Sequence, residues 1–115
     1  MTAAELARLL SSPRYRHTQD ELRLQDEIAA FLTLSSISHR REVLLSKADR
    51  VDFLVGTIGV EVKVKGSRHA VISQLLRYAA HEAVTELVLF TTRSQLVMPR
   101  SLGEKPVVVV RYTVF

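Results

Sequence analysis

Arg50-Val51-Asp52-Phe53-Leu54-Val55-Gly56-Thr57-Ile58-Gly59-Val60-Glu61-Val62-Lys63-Val64-Lys65 is the stretch whose reading decides the fold. Its valine, isoleucine, leucine and phenylalanine residues favour extended backbone, and Gly56 and Gly59 punctuate the middle as a tight turn would, so the stretch reads as a β-hairpin. Side chains alternate across a strand. Glu61, Lys63 and Lys65 therefore share one face, while Val60, Val62 and Val64 share the other and enter a core. Asp52 stands at hairpin distance from Glu61, so two carboxylates and an ammonium converge on one edge of a sheet. Carboxylates on an apolar hairpin are costly to desolvate unless something compensates them, and a divalent cation is the compensator best matched to hard oxygen donors.

Upstream, Leu6, Leu9 and Leu10 make residues 3–10 amphipathic, and Ser11-Ser12-Pro13 ends that segment. Pro13-Arg14-Tyr15-Arg16-His17 reads as a surface linker, with contact to nucleic acid as the alternative. Thr18 or Asp20 caps a helix running to about Leu34, whose buried stripe is Leu24, Ile28, Phe31 and Leu32. At about 100° per residue Glu21 projects close to Ile28 and Leu32, and Glu27 lies on the opposite flank near Phe31. Either carboxylate is able to reach the sheet. Arg41 to Ser46 reads as a first strand with Glu42 on its surface, and Lys47-Ala48-Asp49-Arg50 as the turn into the hairpin.

Downstream, Ser67 caps a helix over about Arg68 to Ala83, in which Gln74 and Tyr78 are four residues apart and share a face. Glu86 to Thr92 reads as a buried strand and Pro106 to Phe115 as a last one, with loop or a short turn between them. The order helix, three strands, helix, strand, strand predicts one α/β domain, a mixed central sheet flanked by helices. Residues 1–17 read as an N-terminal extension and 18–115 as the core.

A hydrophobic share of 47% with 24% charged residues excludes a disordered chain. No apolar run approaches the roughly 18 residues of a membrane span, and Met1-Thr2-Ala3-Ala4-Glu5 lacks a signal-peptide pattern, so a cytoplasmic protein with no membrane partner is expected. Cysteine is absent, which removes disulfides and thiolate metal sites. The net charge of +4 favours an anionic partner such as nucleic acid, and its distribution is pointed: Arg40, Arg41, Lys47, Arg50, Lys63, Lys65 and Arg68 all surround the acids. The four histidines have no H-x-x-x-H spacing, and there is neither a Gly-rich phosphate loop nor a G-x-S-x-G elbow.

Asp52 followed by Glu61-Val62-Lys63 resembles the motif of the PD-(D/E)XK nuclease superfamily, in which an Asp precedes an acidic residue, any residue and Lys on the sheet; Val51 stands where the motif's name has proline. Glu21-Leu22-Arg23-Leu24-Gln25 is similar to the E-x-x-hydrophobic-Q pattern on the first helix of several branches, which selects Glu21 over Glu27 as a metal ligand. Gln74-Leu75-Leu76-Arg77-Tyr78 is similar to the Q-x-x-x-Y signature, whose side chains support the metal-bound carboxylates or contact DNA. The resemblance covers roughly residues 18–92 and is nearest to archaeal-type and phage-type Holliday-junction resolvases and VRR-NUC domains. It implies a restriction-endonuclease-like core.

Phosphodiester hydrolysis needs a nucleophilic water, neutralisation of the reacting phosphate and stabilisation of the departing alkoxide, all of which Mg²⁺ supplies, with Mn²⁺ as a substitute. The resemblance implies Asp52, Glu61, the carbonyl of Val62 and Glu21 as ligands, Lys63 as the group that orients the water and offsets charge, and Lys65 as a phosphate holder. Arg40, Arg41, Lys47, Arg50, Arg68, Gln74 and Tyr78 complete the expected DNA contacts. The expectation is a Mg²⁺-dependent, structure-selective endodeoxyribonuclease, a Holliday-junction resolvase. Two symmetric cuts in a junction require a two-fold dimer, with apolar surface from the last strand or residues 3–10. The alternatives are a nuclease on single-stranded or linear DNA and a non-cleaving nucleic-acid-binding domain of the same fold.

Overall fold

Thr2 and Asp20 open the first two helices by accepting main-chain N–H groups that a helix start leaves unpaired, Thr2 from Glu5 at 3.1 Å in a capping box and Asp20 from Arg23 at 3.2 Å. In the computed structural model, which describes residues 1–113, the order is α1 (Ala3–Leu10), α2 (Glu21–Leu34), β1 (Arg40–Leu44), β2 (Arg50–Val55), β3 (Ile58–Lys63), α3 (Arg68–Ala79), β4 (Glu86–Thr91), β5 (Ser101–Leu102) and β6 (Lys105–Arg111). The strands form one mixed sheet in the order β1-β2-β3-β4-β6-β5, antiparallel across β1-β2-β3 and β5-β6, parallel across β3-β4-β6. A parallel pair needs a crossover, and α3 supplies it between β3 and β4.

The sheet is covered on both faces. Phe53, Val60, Val62, Val88 and Phe90 pack with Leu6, Leu10, Leu24, Ile28 and Leu32 of α1 and α2. Leu54, Leu87 and Leu89 pack with Val71, Leu75 and Tyr78 of α3. Leu87, Val88, Leu89 and Phe90 of β4 are all fully buried, as the unbroken apolar run of a central parallel strand requires.

Several sequence boundaries move, each for a hydrogen-bonding reason. The first strand ends at Leu44 because the N–H groups of Leu45 and Ser46 both donate to Asp49 O, closing a turn. The hairpin turn is Gly56-Thr57, with Gly56 at φ +59°; Gly59 is not part of it but lies in β3, where Leu87, Val51 and Val84 crowd the space of a side chain. β3 stops at Lys63, so Lys65 lies beyond the strand that was expected to carry it. Helix α3 ends at Ala79 rather than near Ala83: Ala80 and His81 close a tightened last turn, and Lys105 Nζ donates to the carbonyls of His81 and Val84. A two-residue strand, β5, lies where only loop was expected, too short to show a period. The last strand ends at Arg111, and the expected end at Phe115 lies outside the described residues.

Residues 1–17 lie on the sheet. α1 packs on β4 and β6, and Tyr15 is buried, its hydroxyl donating to Leu10 O at 2.7 Å and its ring edge-on to Phe90 and Tyr112. Of the apolar surfaces suggested for a dimer, Leu6 and Leu10 are covered by the sheet while Leu9 stays exposed, and β5 pairs only with Lys105 and Pro106 at the start of β6. Among the described residues no helix is long and apolar enough to cross a membrane.

Because Leu6 is fully buried, Leu6→Ala is expected to lower the unfolding free energy by about 2–5 kcal/mol, read from the midpoint of a urea transition. A change below about 0.5 kcal/mol would place α1 outside the core.

Candidate metal and phosphate site

The ladder between β2 and β3 runs from Val55↔Ile58 to Phe53↔Val60 and stops. Continued, it would set Asp52 opposite Glu61 and Val51 opposite Val62. At that point side chains replace main-chain carbonyls as acceptors: the N–H of Val62 donates to Asp52 Oδ2 at 2.8 Å, and the N–H of Asp52 donates to Glu61 Oε1 at 3.2 Å. Asp52 and Glu61, expected to converge, are brought together. Lys63 Nζ lies 3.4 Å from Glu61 Oε2.

Glu21 begins α2 and faces the same end of β3, where its Oε1 accepts the N–H of Val64 at 2.9 Å. Glu27 has another task. Its oxygens accept the N–H groups of Arg16 (2.9 and 3.2 Å) and His17 (3.0 Å), pinning the segment before α2. Burial opposes its charge, but those donors hold its carboxyl below the usual range. The structure thus separates two carboxylates that helix geometry alone left equivalent.

α3 supports Glu61 from behind. Tyr78, 1% exposed, donates its hydroxyl to Arg50 O at 2.8 Å with Glu61 Oε2 at 3.4 Å, and accepts from Gln74 Nε2 at 2.7 Å. Its burial removes Tyr78 from the DNA contacts and leaves it, with Gln74, as a brace for the carboxylate. One helical turn later Arg77 Nε and His81 Nε2 meet Asp49 at 3.0 and 3.1 Å, locking α3 to the β1–β2 turn. The sequence reading missed this cluster, although the spacing of Arg77 and His81 signals one shared face.

The expected cations are unequally disposed. Lys65 lies with Glu21, Lys63, Gln19 and Gly66 around an open cleft of about 500 Å³. Arg40 and Lys47 are exposed on β1 and the turn after it. Arg41 is bound to Asp26 at 3.0 Å and lies over the Phe53 ring, Arg50 pairs with Glu42 at 3.4 Å, and Arg68 Nε donates to Val97 O at 2.8 Å. These three brace the surface through their own contacts. Glu42, expected as plain strand surface, stands in register opposite Asp52 at φ +51°, a left-handed conformation that costs a non-glycine residue on the order of 1 kcal/mol.

The donors present fit a hard cation. Burial, reinforced by the neighbouring carboxylate, pushes Glu61 up to about 8, and burial pushes Asp52 up to about 6. A divalent ion offsets that penalty as a proton does. Among the described residues no three acidic or imidazole side chains form a ready-made cage. Asp52 and Glu61 supply two hard oxygen donors side by side, and Glu21 is engaged at the N–H of Val64.

With folded values above the unfolded ones, the native state keeps protons that the unfolded chain has released, so stability is fullest below about pH 4.5 for Glu61 and is lost as pH rises toward 8. Metal-free protein is expected to lose on the order of 2 kcal/mol of unfolding free energy between pH 5.5 and 8, read by urea titration in chelator. Glu61→Gln should flatten that slope; equal slopes in both proteins would show that Glu61 titrates normally. Comparison of the chain with protein families, with curated proteins and with solved structures finds no match.

Proposed function

We propose that this chain is a Mg²⁺-dependent endodeoxyribonuclease of the PD-(D/E)XK type, with a restriction-endonuclease-like core. The observation that carries the reading is the meeting of the Asp52 and Glu61 carboxylates at the end of the β2–β3 ladder, with Lys63 on Glu61 and Glu21 on the same end of β3. Asp52, Glu61, the Val62 carbonyl and Glu21 would hold the ion, which supplies Lewis acidity toward the phosphate and a water of lowered pKa. A non-cleaving binder gains nothing from clustered acid beside phosphate.

Lys63 does two things in this reading. Its ammonium, held by Glu61, hydrogen-bonds the attacking water and lies against the charge that grows on the phosphate oxygens. Lys65, exposed on the same cleft, holds a phosphate in place. The water oxygen bonds to phosphorus as the bond to the sugar oxygen breaks; the water's proton passes to solvent, and the departing alkoxide takes one from solvent. Tyr78 and Gln74 keep Glu61 from swinging away. The motif's resemblance to junction resolvases extends the reading to branched DNA cut by a two-fold dimer, with Mn²⁺ able to replace Mg²⁺.

Purified protein is expected to cut a synthetic four-way junction in Mg²⁺ in preference to a linear duplex, and to be silent in chelator. Asp52→Asn and Lys63→Ala should each lower the cleavage rate by about 100-fold or more while DNA binding persists. Binding with no cutting in either Mg²⁺ or Mn²⁺ would replace this reading with that of a binding domain. Sedimentation under cleavage conditions should give the mass of two chains; the mass of one rejects the dimer.

A further inference from the structure

Three open clefts meet above the start of α2. Beyond the one that holds Glu21, Lys63 and Lys65, a second of about 280 Å³ is lined by Thr18, Thr92, Ser94 and Tyr112, and a third of about 330 Å³ by Arg16, His17 and Arg23. Gln19 lines all three. We infer that a single strand of nucleic acid leaves the reaction centre over Gln19 and lies along the hydroxyl-lined cleft, with Arg16 neutralising a phosphate from the flank. The location of the reaction centre rests on the nuclease reading; the groove itself does not.

The chemistry of the walls selects this occupant. Hydroxyls, a carboxamide and guanidinium groups donate to phosphate and sugar oxygens, the contacts that position a strand without reading its bases. Among the described residues neither the Arg16 guanidinium nor the Lys65 ammonium is paired with a carboxylate, so both side chains remain open to an anion. Asp20, on the rim, has its oxygens on Arg23. The groove is also preorganised. Glu27 ties the main chain of Arg16 and His17 to α2, and the N–H of Tyr15 donates to the Tyr112 hydroxyl at 2.8 Å, fixing one wall to the other. Adjoining clefts of small-ligand size admit single nucleotides, whereas a duplex rests on a broad face.

The test is anisotropy of a fluorescent single-stranded oligonucleotide and of a blunt duplex, both with Ca²⁺ in place of Mg²⁺ so that binding is read without turnover, with cutting in Mg²⁺ measured separately. Arg16→Glu, Gln19→Glu and Ser94→Glu should each weaken single-strand binding by about tenfold or more, and Arg8→Glu on exposed α1 should leave it unchanged. Unchanged melting temperatures establish that the variants fold. The inference is overturned if the three variants bind like wild type, or if the wild type holds the duplex as tightly as the strand. If the wild type fails to cut and the variants still lose strand binding, the groove stands and the nuclease reading falls.

Discussion

A buried main-chain N–H must find an acceptor, and at the open end of the β2–β3 hairpin that acceptor is a carboxylate instead of a neighbouring strand. Asp52, Val62 and Val64 donate in turn to Glu61, Asp52 and Glu21. The acids are thereby built into the hydrogen bonding of the sheet, which sets their positions more tightly than side-chain packing would. β3 stays straight past the end of its ladder with β2 because its other edge is fully paired with β4, from Ile58↔Glu86 to Lys63↔Thr91. The site depends on that asymmetry, one edge of β3 released and the other held.

Carboxylates in such a place repel each other and lack water. Their raised proton affinity measures the cost, and a cation or a proton is the means of lowering it. Stability and binding are accordingly opposed at one spot. The fold carries the cost through Tyr78, the fully buried apolar layer of β4 and the Asp49–Arg77–His81 cluster, which hold β2, β3 and α3 together whatever the charge state of the acids.

The basic residues divide along the same line. Arg41, Arg77, Arg111 and Lys105 bind carboxylates or carbonyls of their own chain, so part of the net positive charge is structural. Near the acids, Lys65 and Arg16 carry side chains with no carboxylate partner, Lys63 is shared with Glu61, and Arg40 and Lys47 are exposed on β1 and the turn after it.

The amino-acid sequence alone determined the alternation of Glu61 and Lys63 against Val60 and Val62, a turn at Gly56, Ser67 as one helix cap with Thr18 or Asp20 as another, and a mixed α/β sheet, because these follow from periods of 2 and 3.6 and from local hydrogen bonds. It also placed Asp52 beside Glu61, since hairpin register is local. Only the tertiary structure put Glu27 on the main chain of Arg16 and His17 and Glu21 on β3, buried Tyr78, ended β3 before Lys65, drew α1 and Tyr15 into the core, gave Glu42 a left-handed backbone within β1 and set Gln19 between three clefts. Those outcomes depend on which distant N–H groups and apolar faces arrive opposite a residue, and a one-dimensional pattern carries no information about what will stand across from it.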